Sequence, residues 1–181
     1  MTRRLFCIAS IVVCIATPTL ADDAAPRQPI EGFYRVHQQS PQGGIPDAKR
    51  RARYLPYISP ELAKLLTQAD AAEARFAKAN KDSPPLVEGD LFSPNFEGIS
   101  AFKIEICTAD GNTARCKVKL HFADKNPRPQ DKAVDWVDTV TVVKTPAGWR
   151  VDDIEYGGNW DFGNHGTLEA VLKDVVAEPG G

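Results

Sequence analysis

Several chemistries are missing their residues from this chain. Its 181 residues contain no Gly-x-Ser-x-Gly, so the exposed nucleophile elbow of hydrolases is absent. The three histidines, His37, His121 and His165, stand far apart without paired-ligand spacing, which argues against a metal site. No cofactor motif is visible either, and none is expected to be needed. Charge of neither sign dominates: 22 Lys+Arg against 24 Asp+Glu leaves −2, which gives no footing for nucleic acid. No internal repeat and no second domain show in the pattern. What remains is 43% hydrophobic and 25% charged residues, a composition that buries a core.

The N-terminus is read apart from the rest. Arg3 and Arg4 precede an apolar run from Leu5 to Ala16, followed by small residues at Thr19 and Ala21. That run falls well short of the roughly 20 residues a membrane span needs. It reads as a signal peptide over residues 1–21, cleaved after Ala21, which sends the chain to the periplasm with no membrane span after processing. A lipoprotein would need a small residue before Cys14, and Val13 is a poor fit. A retained anchor is the other alternative. After processing, Cys107 and Cys116 are the two cysteines left, and an exported chain should join them.

Residues 22–28 read as a flexible lead-in, residues 29–177 as one domain, and residues 178–181 as a tail. Ile30, Phe33, Tyr34 and His37 recur at helical spacing behind Pro29, which suits a first helical position. Asp47 caps a short second helix carrying Lys49, Arg50, Arg51 and Arg53, a run read as a solvated face. Ser59-Pro60-Glu61 opens a third, whose apolar stripe runs from Leu62 to Phe76. Leu86 to Gly98 has no period and reads as a long packed loop of the kind that rims pockets.

The chain then turns to strands. Phe102, Ile104 and Ile106 alternate with polar residues, as do Cys116, Val118, Leu120 and Phe122. A two-residue Gly111-Asn112 turn sets Cys107 opposite Cys116, but apolar alternation wants Ile104 opposite Val118. These registers differ by one residue, and a β-bulge beside a cysteine reconciles them. The disulfide should contribute about 2.5–3 kcal/mol through loop entropy. Val134 to Tyr156 reads as a central hairpin around Pro146-Ala147-Gly148, with a second bulge at Asp152-Asp153. Thr167 caps a last, short helix.

Phe33-Tyr34, Leu55-Pro56-Tyr57-Ile58-Ser59-Pro60-Glu61-Leu62, Gly89-Asp90-Leu91-Phe92 and Gly148 to Tyr156 carry a resemblance. Over about Ile30 to Val176 the chain resembles an uncharacterised family of bacterial envelope proteins, a domain of unknown function in the nuclear-transport-factor-2-like superfamily. The resemblance implies an α+β fold: N-terminal helices packed on a strongly curved, cone-like antiparallel sheet of four strands, with a pocket between them and a short C-terminal helix. Relatives across that superfamily include isomerases, dehydratases and immunity proteins, so fold does not choose the function.

Two readings follow. In the first the chain is a non-catalytic binding module for a protein partner or a small apolar ligand, in one version an immunity-type inhibitor of a secreted toxin. Trp160, Phe162 and His165, in a glycine-rich stretch, would form its recognition surface. In the alternative it is a cofactor-free isomerase- or dehydratase-like enzyme. A carboxylate in apolar surroundings, Asp138 or Asp153, would act as general base with His37, and Tyr34 would donate a hydrogen bond. Against this, His37 reads more readily as a satisfied core histidine, and Asp152 and Asp153 as ties for the bulge backbone or partners of Arg35 or Arg150.

Overall fold

The computed structural model describes residues 24–39, 43–128 and 132–179. The expected signal peptide and its cleavage site lie outside the described residues. Among those that are described, no helix is long and apolar enough to cross a membrane. The chain runs α1 (Ala24–Gln38), α2 (Ala48–Tyr54), α3 (Pro60–Ala79), β1 (Ala101–Asp110), β2 (Thr113–Phe122), β3 (Val134–Thr145), β4 (Gly148–Glu155) and α4 (Leu168–Ala177).

Helix α1 starts at Ala24, ahead of the Pro29 start expected, and carries Pro29 inside it. Pro26 costs nothing there, because the first turn of a helix has no partner for its N–H groups. Both prolines are buried, so packing onto the sheet offsets the one ladder bond that Pro29 removes. The caps follow the sequence. The Asp47 side chain accepts from Arg50 N at 2.8 Å, and Ser59 Oγ accepts from Leu62 N at 2.9 Å. The basic run on α2 is not idle solvated charge. Arg50 holds the carbonyls of Gly43 and Ile45, while Arg51 holds Pro46 O and pairs with Asp70.

The strands form one antiparallel sheet in the order β1-β2-β3-β4. Both bulges occur where opposing constraints required them. Ile104 faces Val118 and Cys107 faces Cys116, with the register shifting between those pairs. Cys107 and Cys116 form the disulfide, with Cα atoms 4.0 Å apart. On β4, Thr141 faces Asp153 while Val142 faces Val151, so Asp152 is the extra residue.

The strongly curved, cone-like sheet is overturned. The sheet is open, and its edge strands β1 and β4 make no contact. The physical reason is where the bends fall. Bulges bend strands, and both sit in the outer pairs; the central β2–β3 pair runs unbroken from Thr113↔Val143 to Phe122↔Val134. With no bulge in its middle, the sheet lacks the corner that would curl it.

One face of this sheet is covered. Val118, Leu120, Val140, Val142, Val151 and Ile154 are fully buried on it, beneath Ile30, Phe33 and Tyr34 of α1. The opposite face of β2 carries Arg115, Lys117 and Lys119, paired with Glu155, Thr139 and Asp135. The edge of β4 is closed by the α2–α3 connector, where Ser59 N donates to Val151 O and Val151 N to Tyr57 O, each at 2.8 Å. At β1, Arg27 of α1 caps the carbonyls of Ile104 and Glu105 beside the bulge. Residues 86–100 lie over the end of α1 as a packed loop.

Candidate functional site

The loop over residues 89–99 is folded by its own short side chains. Asp90 Oδ1 accepts from Phe92 N at 2.9 Å, Ser93 Oγ from Asn95 N at 3.0 Å, and Asn95 Nδ2 donates to Gly98 O at 3.1 Å. Such local bonds replace secondary structure where no period exists. The loop is then strapped to the C-terminal segment. Asn164 Nδ2 donates to Asp90 O at 2.7 Å and Ser93 O at 3.0 Å, and the Tyr156 hydroxyl donates to Leu91 O at 2.7 Å.

This folding aims Asp90 at the end of α1. Its Oδ2 lies 2.7 Å from His37 Nε2, and both side chains are almost fully buried. Gly98 permits the approach: its φ is +84°, and a Cβ there would sit 2.9 Å from Asp90 Oδ2. An ionised carboxylate only accepts, so it places a proton on Nε2, and in the neutral ring Nδ1 is then the acceptor. Among the described residues Nδ1 has no hydrogen-bond partner. His37 and Asp90 line a cavity of about 310 Å³, together with Gly43, Gly89, Glu97, Gly98 and Ile99, with Phe96 at its mouth.

In the core, on β3, sits a second polar group. Trp136 and Asp138 alternate inward on β3 and are buried. Asp138 Oδ1 accepts from Gly157 N at 2.8 Å, whereas Oδ2 has no partner. Tyr34 Oη and Trp136 Nε1 are likewise buried without a partner. Burial pushes the Asp138 carboxyl up to about 7, an increase tempered by Gly157 N–H and the nearby Trp136 indole, which does not reach hydrogen-bond geometry. The phenol of Tyr34 is raised well above its ordinary value, first by burial and then by the charge of Asp138 and of Asp90. The charge of Asp90 adds to the upward shift of Asp138. Buried polar atoms in native proteins are rarely left unpaired, so three orphans at one place single it out.

The charges of Asp138 and Asp90 both act on the Tyr34 phenol, and Asp90, against His37, acts on Asp138, while Asp153 is spent on backbone donors. Asp153 Oδ1 accepts from Ile154 N at 2.9 Å and Glu169 N at 2.8 Å, joining the bulge to the first turn of α4. Its carboxyl is raised by burial, with those backbone donors opposing the rise. Trp160 packs edge-on against Trp136 with ring centroids 5.1 Å apart. Phe162 is 90% exposed, and His165 is exposed as well. Asp90 was not among the residues singled out from sequence. The one signal was its setting: a lone acid between Gly89 and Leu91-Phe92, in a stretch too apolar for a solvated loop. Asn164, which holds the loop, gave no signal.

No protein-family model matches this chain, and no curated protein does. The envelope-protein family resembled in sequence is therefore not identified. Among solved structures, the chain is similar to a Campylobacter jejuni protein described as an NTF2-like transpeptidase. The likeness covers 70% of this chain and 96% of that one, with 18% identity and a TM-score of 0.32. A likeness at that score carries no argument about fold or chemistry.

Proposed function

We propose that this chain is a cofactor-free acid–base catalyst of the isomerase or dehydratase kind, acting on a small molecule in the periplasm. One observation carries the reading: a buried histidine held 2.7 Å from a buried carboxylate, both on the wall of a cavity. His37 is the group that meets substrate, taking or returning a proton through Nδ1. Asp90 holds the ring's orientation and tautomer and stabilises the imidazolium that forms. Asp138 and Tyr34 supply the second element. A carboxyl near 7 changes protonation at neutral pH with little driving force either way, which suits proton exchange. Asp153 has no part in it, being spent on two backbone donors.

Proton exchange at carbon tests this. A panel of small carbonyl compounds, some bearing an amine, is incubated with protein in deuterated buffer, and loss of the α-proton signal is followed by NMR. For at least one compound, wild-type protein should exceed buffer, and His37→Gln should lose about 10²–10⁴-fold of the excess. Exchange that is the same with wild type and His37→Gln across the panel would end the catalytic reading.

The binding-module reading rests on a different observation, the 90% exposed Phe162. It shares with Phe96 a groove of about 560 Å³ between residues 84–88 and α4. In that reading Trp160, Phe162 and His165 meet a protein partner, a secreted toxin in the immunity version. Capture of a defined partner that Phe162→Ala abolishes, with His37→Gln neutral, would favour it.

A further inference from the structure

We infer that the cavity takes a small organic cation, an ammonium group carried on a short apolar body; this rests on the His37–Asp90 site proposed above. Three of the wall's N–H groups are spent inside the loop, while its charged side chains are acceptors. Asp90 N donates to Phe96 O at 3.1 Å, Gly98 N to Asn95 O at 2.9 Å, and Glu97 N to Asn95 Oδ1 at 3.4 Å. Phe92 N is held by Asp90 Oδ1 at 2.9 Å. The ionisable side chains that line the cavity are His37, the Asp90 carboxylate, already held by His37 and Phe92 N, and the exposed Glu97 carboxylate. A ligand that complements acceptors must bring donors.

Charge points the same way. Asp90 and Glu97 line the cavity, and among the described residues no lysine or arginine does. Arg50 comes to the rim at Gly43, but its guanidinium is bound to Gly43 O and Ile45 O, at 3.2 and 2.6 Å. A recess with low-dielectric walls and acidic lining concentrates cations and turns anions away. The half-exposed ring of Phe96 at the mouth gives a face on which a cation or a short chain can lie. About 310 Å³ is at the small end of ligand sites, which limits the apolar body to one ring or a short chain.

Benzylammonium, benzyl alcohol and benzoate share a ring and differ in head group, so they isolate the inference. Each is titrated into the protein while the His37 ring nitrogens and the Gly98 amide are followed by NMR. Benzylammonium should give saturable shifts at both. Benzyl alcohol should bind about tenfold more weakly, and benzoate should give no saturable shift. Glu97→Gln should weaken benzylammonium by roughly threefold to tenfold and leave benzyl alcohol unchanged. Benzoate binding as tightly as benzylammonium, or no saturable shift with any probe, overturns the inference. The same spectra separate it from the catalytic reading. A proton found on His37 Nδ1 rather than Nε2 removes the dyad itself. A correct Nε2–H with no preference for the cation removes the ligand class alone.

Discussion

Asp90 and Asp138 are both buried, yet the fold treats them in opposite ways. Asp90 lies on a loop without regular structure and has every need met: His37 on one oxygen, Phe92 N on the other. Asp138 lies on the central strand β3 and is half-met, with Oδ2 facing the orphaned polar atoms of the core. The loop carboxylate is built to hold a ring. The strand carboxylate is surrounded so that its charge is costly near neutral pH. Position in secondary structure therefore says little about which acid is strained. The partner count does.

Removing the satisfied member should cost most. Asp90→Ala strips the acceptor from His37 Nε2 and from Phe92 N together. Urea unfolding should show a loss of about 4 kcal/mol, two buried donors each left unpaired. If the loss is below about 1 kcal/mol, Asp90 is not the anchor described.

Replacing the strained member should go the other way, with pH. The carboxyl of Asp138 sits at about 7 when folded, against about 3.9 unfolded. Between those values the native state binds the extra proton, so the group's contribution to stability falls as pH rises and levels off above 7. Three units correspond to about 4 kcal/mol as an upper figure. Asp138→Asn should remove this slope, so that the variant gains on wild type from pH 5 to about 7 and little beyond. A pH-independent difference between the two unfolding curves would contradict the strain.

Two smaller effects sharpen the contrast. Cys107→Ser with Cys116→Ser should lower stability to urea by about 2.5–3 kcal/mol, the loop-entropy value of the clasp between β1 and β2. Asp153→Ala should cost only about 1 kcal/mol, the value of a helix-terminus tie, and should leave carbon-acid exchange intact. Loss of exchange in that variant would return Asp153 to the site.

Much of the frame could be read from residues. The caps at Asp47, Ser59 and Thr167 appear where short polar side chains precede helical periods. Both bulges were legible because two independent constraints, cysteine pairing or face alternation against register, could not be met by a regular ladder. Asp138 was visible as an acid in phase with Trp136, Val140 and Val142. Curvature was not legible, because it depends on where the bulges fall across the whole sheet rather than on any one strand. The His37–Asp90 pair was hidden for a related reason. Its members are 53 residues apart, and one sits in a loop whose shape comes from Asx turns and the Asn164 strap. Periodicity carries no information there.

The claim underneath the acid–base reading of the core is that it holds a carboxyl poised near neutrality. Carbon-13 NMR of the Asp138 carboxyl, titrated from pH 3 to 9 and assigned by its loss in Asp138→Asn, measures this directly. A midpoint near 7, far from the ordinary carboxylate range, is the result expected. A midpoint near 4 would mean that the carboxylate is solvated or paired in solution, and the acid–base account of this core would fall.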